Sequence, residues 1–305
     1  MPVKPDSFAN MDQPGPEQLP SHELPLNFPS LEKEKLKWYL RQYRNMRMTD
    51  EEIIKRFTSI GWPADFIIDS LAKLPAYKEN VAISVNNLTK KFTTEDYEQT
   101  ILRNISFDIR EGEFIAITGK SGAGKTTMLN LIGLLDEPTE GEILINGKNI
   151  FSFSEKEKVK FRLKSISFIF QFFNLVNNYT AIENIAFQLR LQGYSKRKSM
   201  KKSAEILQFL GLGERANYYP KKLSGGEQQR VAIGRALAKD SLIILADEPT
   251  AHLDSKNSET TIELFRDINL KFGKTIILVT HEADYAKMAD RVIILSDGML
   301  VQKAN

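Results

Sequence analysis

The stretch Gly119-Lys120-Ser121-Gly122-Ala123-Gly124-Lys125-Thr126 decides how this chain folds. It follows the apolar run Phe114-Ile115-Ala116-Ile117-Thr118 and precedes a helical pattern from residue 125. It fits G-x-x-x-x-G-K-S/T lying between a strand and a helix, which are the contexts that pattern needs. Glycines there let backbone N–H groups converge on phosphate oxygens, and a helix beginning near Gly124 adds its positive end. Lys125 supplies a point charge for terminal phosphates, and the Thr126 hydroxyl can reach Mg2+. With Thr127 beside them, residues 119–127 form a candidate phosphate cradle.

Outward from this loop the pattern alternates. Short apolar runs at 114–118, 165–170, 242–246, 275–280 and 292–296 are too short for helices. They read as buried strands of a mostly parallel sheet. Helical stretches near 125–134, 182–192, 199–211, 227–239, 255–271 and 282–289 alternate with them, which predicts an α/β domain over residues 81–305.

Two further segments carry polar groups that chemistry could use. Leu242-Ile243-Ile244-Leu245-Ala246-Asp247-Glu248 is an apolar strand ending in two carboxylates. Neighbouring strand residues point to opposite faces, so Asp247 and Glu248 serve different ends. Asp247 is the candidate for holding Mg2+, usually through water, and Glu248 for polarising an attacking water. A solvated acidic turn before Pro249 is the plain alternative. In Leu223-Ser224-Gly225-Gly226-Glu227, Ser224 and Glu227 form a capping box opening a helix. That accounts for the Ser and the Glu but not for two glycines in a first turn, where they weaken a helix. A backbone that must touch something accounts for them, and bare amides at a helix N-terminus suit a phosphate. One nucleotide cannot easily serve two remote helix starts in one subunit. Ser224, Gly225, Gly226 and Glu227 are therefore expected to meet nucleotide held by a second copy of the chain.

In order, GKSGAGKT (119–126), FIFQFFNLV (168–176), LSGGEQQR (223–230), LIILADEPT (242–250), AHLD (251–254) and His281 after TIILVT resemble the ATP-binding subunit of ABC transporters. The resemblance covers residues 81–305 and looks most like the lipoprotein-release and macrolide-export branch, with cell-division ATPases as near relatives. It implies an ABC-type P-loop nucleotide-binding domain of α/β class, with a mixed sheet core and a helical subdomain. It implies ATP and Mg2+ as ligands and ATP hydrolysis as the reaction. A dimer closing around two Mg-ATP would then drive a permease that is a separate transmembrane polypeptide. Gln171 matches the glutamine that contacts Mg2+ and water and reports to the permease. His281 matches the switch histidine at the γ-phosphate beside Glu248, and Asp254 the loop that crosses the dimer interface. Phe92 matches the aromatic that stacks on adenine, usually a tyrosine, with Tyr97 as a weaker substitute. His252 departs from the pattern by standing where a small or amide-bearing residue is usual, and Lys120 by adding charge to the phosphate loop. ABC ATPases of DNA repair or chromosome structure carry long coiled coils between the two glycine-rich motifs. Residues 172–222 leave room here for a compact helical subdomain. An ATPase of cell division that moves no cargo is the alternative.

The 305 residues include no cysteine, 27% charged and 42% hydrophobic side chains, and carry a formal net charge of +3. That composition is globular, with apolar material for one large or two modest domains. It excludes disulfides, thiolate zinc sites and Fe–S centres. No apolar run approaches the ~20 residues of a membrane-spanning helix, and no secretory signal is visible. The expected location is cytoplasmic, peripheral on the cytoplasmic face of the cell membrane. So mild a charge argues against nucleic acid as a partner. Seven of the twelve prolines lie in residues 1–30, which predicts a disordered tail. Residues 31–75 read as a small all-helical module. Its first helix carries Leu36, Tyr39 or Leu40, Tyr43 and Met46. The second opens on a Thr49–Glu52 capping box and carries Ile53, Ile54 and Phe57. The third, after Gly61 and Pro63, carries Phe66, Ile67, Leu71 and Leu74. Residues 76–80 read as a linker. Trp38, Trp62 and Phe66 are candidates for an exposed contact with an unknown protein docking on residues 31–75. The cations Lys196, Arg197, Lys198, Lys201 and Lys202 read as the solvated start of a helix.

Overall fold

The computed structural model describes residues 36, 40, 43, 44, 49–59, 62–74, 81–94, 97–239 and 241–301. The expected tail (1–30), the linker (76–80), Trp38, Tyr39, Met46 and Gly61 lie outside them. The chain divides into two compact units, residues 1–75 and 76–305.

In the first unit, α1 (Asp50–Ser59) and α2 (Ala64–Lys73) pack together, and Leu36, Leu40 and Tyr43 are helical and buried. The capping box is reciprocal: the Thr49 N–H donates to Glu52 Oε2 at 2.7 Å, and the Glu52 N–H donates to Thr49 Oγ1 at 3.2 Å. The Arg44 guanidinium donates twice to Asp50, at 2.7 and 2.6 Å, and that bond holds the Asp50 carboxyl below its usual range. Tyr43 meets Phe57 edge-on in a core with Ile53, Ile67, Leu71 and Leu74. Trp62 corrects the expectation of an exposed aromatic. It is 8% exposed and stacks on Phe66, because a core this small needs its indole for cover.

The second unit holds two sheets. One is wholly antiparallel: β1 (Val81–Thr94), β2 (Tyr97–Arg110), β4 (Glu140–Ile145) and β5 (Lys148–Asn149), in the order β2-β1-β4-β5. The other contains β3 (Phe114–Thr118), β6 (Ile166–Ile169), β7 (Ile243–Asp247), β8 (Thr275–Val279), β9 (Arg291–Ser296) and β10 (Met299–Val301). Its order is β10-β9-β3-β8-β7-β6, parallel throughout except for the β10 edge. The parallel strands alternate between two cores, as period-2 geometry requires. Ile115, Ile117, Leu245, Ile277 and Val279 face the core shared with the antiparallel sheet. Phe114, Ala116, Ile244, Ala246, Ile276 and Leu278 face a core with the helices. Both faces being covered explains why these strands read as unbroken apolar runs.

The helices are α3 (Lys125–Ile132), α4 (Glu155–Ser165), α5 (Ala181–Leu191), α6 (Lys196–Phe209), α7 (Gly225–Ala238), α8 (Ser255–Phe272) and the short α9 (Ala283–Ala286). Helices α5, α6 and α7 pack on one another as the compact helical group. The five cations at the start of α6 are exposed. The four antiparallel strands and α4 escape the sequence pattern for physical reasons. Bulges between Val85 and Leu88 and at three other points shift the β1–β2 register, which scrambles the alternation. Helix α4 buries Lys158 and offers no apolar stripe. Among the described residues no helix is long and apolar enough to cross a membrane.

Candidate functional site

The chemistry-bearing groups gather at the C-terminal ends of β3, β7 and β8, the edge where open α/β sheets hold ligands. The loop from Gly119 to Gly124 joins β3 to α3, with Ser121 and Gly122 exposed, Ala123 and Gly124 buried, and Thr127 half-buried in α3. Gly124 stands at φ +95°, and a Cβ there would lie 2.6 Å from Leu102 Cδ2 and 3.1 Å from the Ile101 carbonyl oxygen. Glycine is what lets α3 begin against β2. Lys125 is buried, and its Nζ donates to the carbonyl oxygens of Gly119 at 2.9 Å and Lys120 at 3.0 Å. The ammonium thus arches over the loop. Helix α3 starts with no side-chain cap and no acid in its first turn. Helices α5, α6, α7 and α8 start on side chains of Thr180, Ser195, Ser224 and Asp254. The first amides of α3 are left for a ligand, in the geometry that attracts an anion.

The carboxylates part company, but not by alternation: β7 ends at Asp247, and Glu248, expected as the last residue of the strand, lies in the turn beyond it. The Thr126 hydroxyl donates to Asp247 Oδ1 at 3.2 Å. Burial pushes the Asp247 carboxyl up, the Thr126 bond pulls it back, Glu248 adds to the rise, and Lys125 opposes it. A hydroxyl and a desolvated carboxylate are hard oxygen donors that fit Mg2+. Among the described residues no group of three or more His, Cys, Asp and Glu is poised to hold a metal, so an ion here would take most of its ligands from phosphate and water. Glu248 adopts φ +44°, in the left-handed region that a non-glycine residue enters at a cost of about 1–2 kcal/mol. Its N–H donates to the Val279 carbonyl at 2.9 Å, and its Oε2 lies 2.7 Å from His281 Nδ1. That turn carries the Glu248 side chain away from Asp247 and towards the end of β8. Strain of this kind collects at functional sites.

The other expected residues lie as follows. Gln171 is exposed in the turn after β6. Phe92, on β1, is exposed, with the Lys90 ammonium 4.8 Å from its ring centre. Tyr97 is exposed at the start of β2 and pairs with Thr94. At the start of α7, the Ser224 N–H donates to Glu227 Oε2 at 2.8 Å, and the Glu227 N–H donates to Ser224 Oγ at 3.3 Å. A Cβ at Gly226 would fall 2.3 Å from Asn257 Oδ1 and 3.1 Å from Asn257 Cβ, so close packing on α8 explains that glycine. A Cβ at Gly225 would find ordinary contacts at 3.4–3.8 Å, so nothing within the chain demands a glycine there. Asp254 caps α8, accepting from the Asn257 N–H at 2.9 Å and from Asn257 Nδ2 at 2.6 Å. Those bonds keep its carboxyl below the ordinary range.

The pattern of the ABC transporter family matches residues 102–251, a span that includes the phosphate loop, Gln171, Ser224 and both carboxylates. Over 223 residues the chain is 44% identical to the uncharacterized ABC transporter ATP-binding protein MJ1508 of Methanocaldococcus jannaschii, covering 73% of this chain and 99% of that one. The chain belongs to the ABC transporter ATP-binding family. This cassette is also 43% identical, over 219 residues, to the lipoprotein-releasing system ATP-binding protein LolD of Bacteroides fragilis, covering 72% of this chain and 100% of that protein. A solved dimeric structure of the ATP-binding cassette MJ0796 in a post-hydrolysis state, bound to ADP and Pi, matches it with TM-score 0.67 at 42% identity. That match covers 72% of this chain and 97% of the other. The cassette binds and hydrolyses ATP.

Sequence reasoning missed the residues that hold the Gln171 turn in the cassette. Arg235, on α7, donates from Nη2 to the Phe173 carbonyl at 2.7 Å and from Nη1 to the Asn174 carbonyl at 2.6 Å. Asn184, buried on α5, accepts from the Val176 N–H at 2.8 Å and donates to the carbonyls of Val176, Tyr179 and Thr180. Phe172 stacks on His252, with ring centres 4.8 Å apart. A lone cation within the apolar part of α7 was the available signal for Arg235. Nothing in spacing pairs Phe172 with His252, which lie 80 residues apart.

Proposed function

We propose that this cassette is the ATPase subunit of a transporter whose permease is a separate membrane polypeptide, and that two copies close head to tail around two Mg-ATP. The observation that carries the reading is the asymmetry of its two glycine-rich helix starts. Helix α3 offers uncapped amides with Lys125 arched over them, whereas Gly225 is a glycine that nothing inside the chain requires. Each chain thus presents one half of a phosphate site and one surface that suits close approach by nucleotide from another copy. In this reading Gly119–Thr127 cradles the phosphates, and Thr126, Asp247 and Gln171 hold Mg2+, which would neutralise charge on the β- and γ-phosphates. Lys125 and the α3 amides stabilise charge on the transferred group, Glu248 orients the water, and His281 steadies Glu248 through their 2.7 Å contact. Phe92 stacks on adenine. Ser224, Gly225, Gly226, Glu227 and Asp254 act across the dimer.

Similarity to LolD supports an exporter or lipoprotein-release type of complex on the cytoplasmic face of the membrane. Residues 31–75 are read as a docking module for a protein partner, separate from the ATP chemistry. The test is Glu248→Gln with light scattering. This variant should bind ATP, lose turnover about a hundredfold, and accumulate as a dimer with Mg-ATP. A variant that stays monomeric with ATP bound overturns the closing-dimer reading. Affinity capture of a membrane permease with the full chain checks the transport assignment.

A further inference from the structure

We propose that Phe172 and His252 form an aromatic latch that fixes the Gln171 turn to the Glu248–Asp254 turn within one subunit, which makes both of them positioning residues for ATP hydrolysis. The inference rests on the roles assigned above to Gln171 and Asp254. The two rings lie 4.8 Å apart and 27° from parallel. Phe172 directly follows Gln171, and His252 lies between Glu248 and Asp254. Phe172 is 65% exposed, so filling a core does not account for the contact. It joins two surface turns, each of which carries a residue of the nucleotide site.

The stack complements the anchor that Arg235 provides. Arg235 fixes the carbonyls of Phe173 and Asn174, downstream of Gln171, to helix α7. The His252 ring fixes Phe172, one residue nearer to Gln171, to the turn after β7. These segments also converge at the start of α7. The position of a Gly225 Cβ lies 3.6 Å from the His252 carbonyl oxygen, 3.4 Å from Leu253 Cδ2 and 3.8 Å from Phe173 Cζ. Gln171 and Asp254 are therefore placed by one set of contacts. Opening the stack leaves the phosphate loop, Lys125 and the Arg235 anchor in place. The loss belongs in turnover and not in ATP affinity.

The test is a double-mutant cycle on the full chain, measuring steady-state ATP hydrolysis and, separately, binding of a fluorescent ATP analogue. Phe172→Ala and His252→Ala should each lower kcat about three- to tenfold, the scale of one aromatic pair, with KM and analogue affinity within about twofold. The double variant should be no slower than the slower single variant. His252→Phe keeps a ring for the stack and should return kcat to within about twofold of the parent. Effects that multiply in the double variant, a His252→Phe as slow as His252→Ala, or losses that fall on affinity instead of kcat would each overturn the latch. Gln171→Ala in the same assay keeps the two readings apart. Unchanged turnover there removes the role given to Gln171, while the cycle still reports whether Phe172 and His252 act as a pair.

Discussion

The starts of α3 and α7 share a sequence look, with glycines, a hydroxyl residue and a helix immediately behind, yet their polar groups are arranged in opposite ways. At α3 the cap position is Gly124 and no side chain satisfies the first amides. At α7 the Ser224–Glu227 box satisfies two of them within the chain. A helix start that leaves its donors bare is stable only where an anion or water answers them, while a capping box answers two of the four before any ligand arrives. On the reading proposed above, the difference separates a site that binds ATP in one subunit from a surface that meets ATP only when a second subunit brings it.

The largest expected effects fall on the bare start. Lys125→Ala removes the charge that the proposed reading places over the phosphates, so ATP affinity should fall at least about tenfold and hydrolysis should fall with it. Ser224→Arg should leave ATP affinity within about twofold and still lower turnover by about tenfold or more, because the proposed reading places its effect across the dimer. Isothermal titration beside steady-state kinetics reads both quantities. Equal loss of ATP binding in the two variants would erase the distinction between the helix starts.

The adjacent glycines of α7 sharpen the same comparison. Gly226→Ala drives a Cβ to within 2.3 Å of Asn257 Oδ1, an overpacking that should cost about 1–3 kcal/mol and lower Tm by several degrees. Gly225→Ala meets no such neighbour and should leave Tm unchanged or raised, since alanine favours the helix. Its turnover should nevertheless drop, because the added methyl stands where the second subunit's nucleotide is expected. Full turnover in Gly225→Ala would remove the ligand role proposed for Gly225.

The parallel sheet and the α3 loop were legible because their signals are local. A short apolar run beside G-x-x-x-x-G-K-T needs no distant partner to be recognised. Asp247 and Glu248 were legible as a pair at the end of an apolar run, but the left-handed turn that parts them at Glu248 was not. The antiparallel sheet was not legible, since the bulges of β1 break the period and leave Asn87 at φ +48°. Helix α4, with lysines and glutamates on nearly every face, hides its capping box behind the lack of an apolar stripe. The reason for Gly226 was hidden too, because Asn257 lies 31 residues further on and no periodicity joins them. Gly226 invited a ligand explanation, but packing accounts for it, and the ligand reading of Gly225 is a proposal.

The smallest expected effect tests the self-capped start by pH. The Ser224 backbone N–H, donating to the Glu227 carboxylate, holds that carboxyl below its ordinary range, with help from the Ser224 hydroxyl and from Arg215. A carboxyl with a depressed folded pKa stabilises the fold above its unfolded pKa of about 4.3, and that contribution is lost as pH falls through the folded value. Glu227→Ala should therefore lower stability at pH 7 by about 1 kcal/mol, a shift of roughly 2–4 °C in Tm. The gap between parent and variant should hold steady from pH 8 to about 5 and close as pH falls below about 4.3. Differential scanning calorimetry across that range measures it. Helix α3 has no acid in its first turn, so its start contributes no such titration. A gap that widens on acidification, or one absent at pH 7, would mean that the α7 start is not completed by Glu227, and that its amides are as open to a ligand as those of α3.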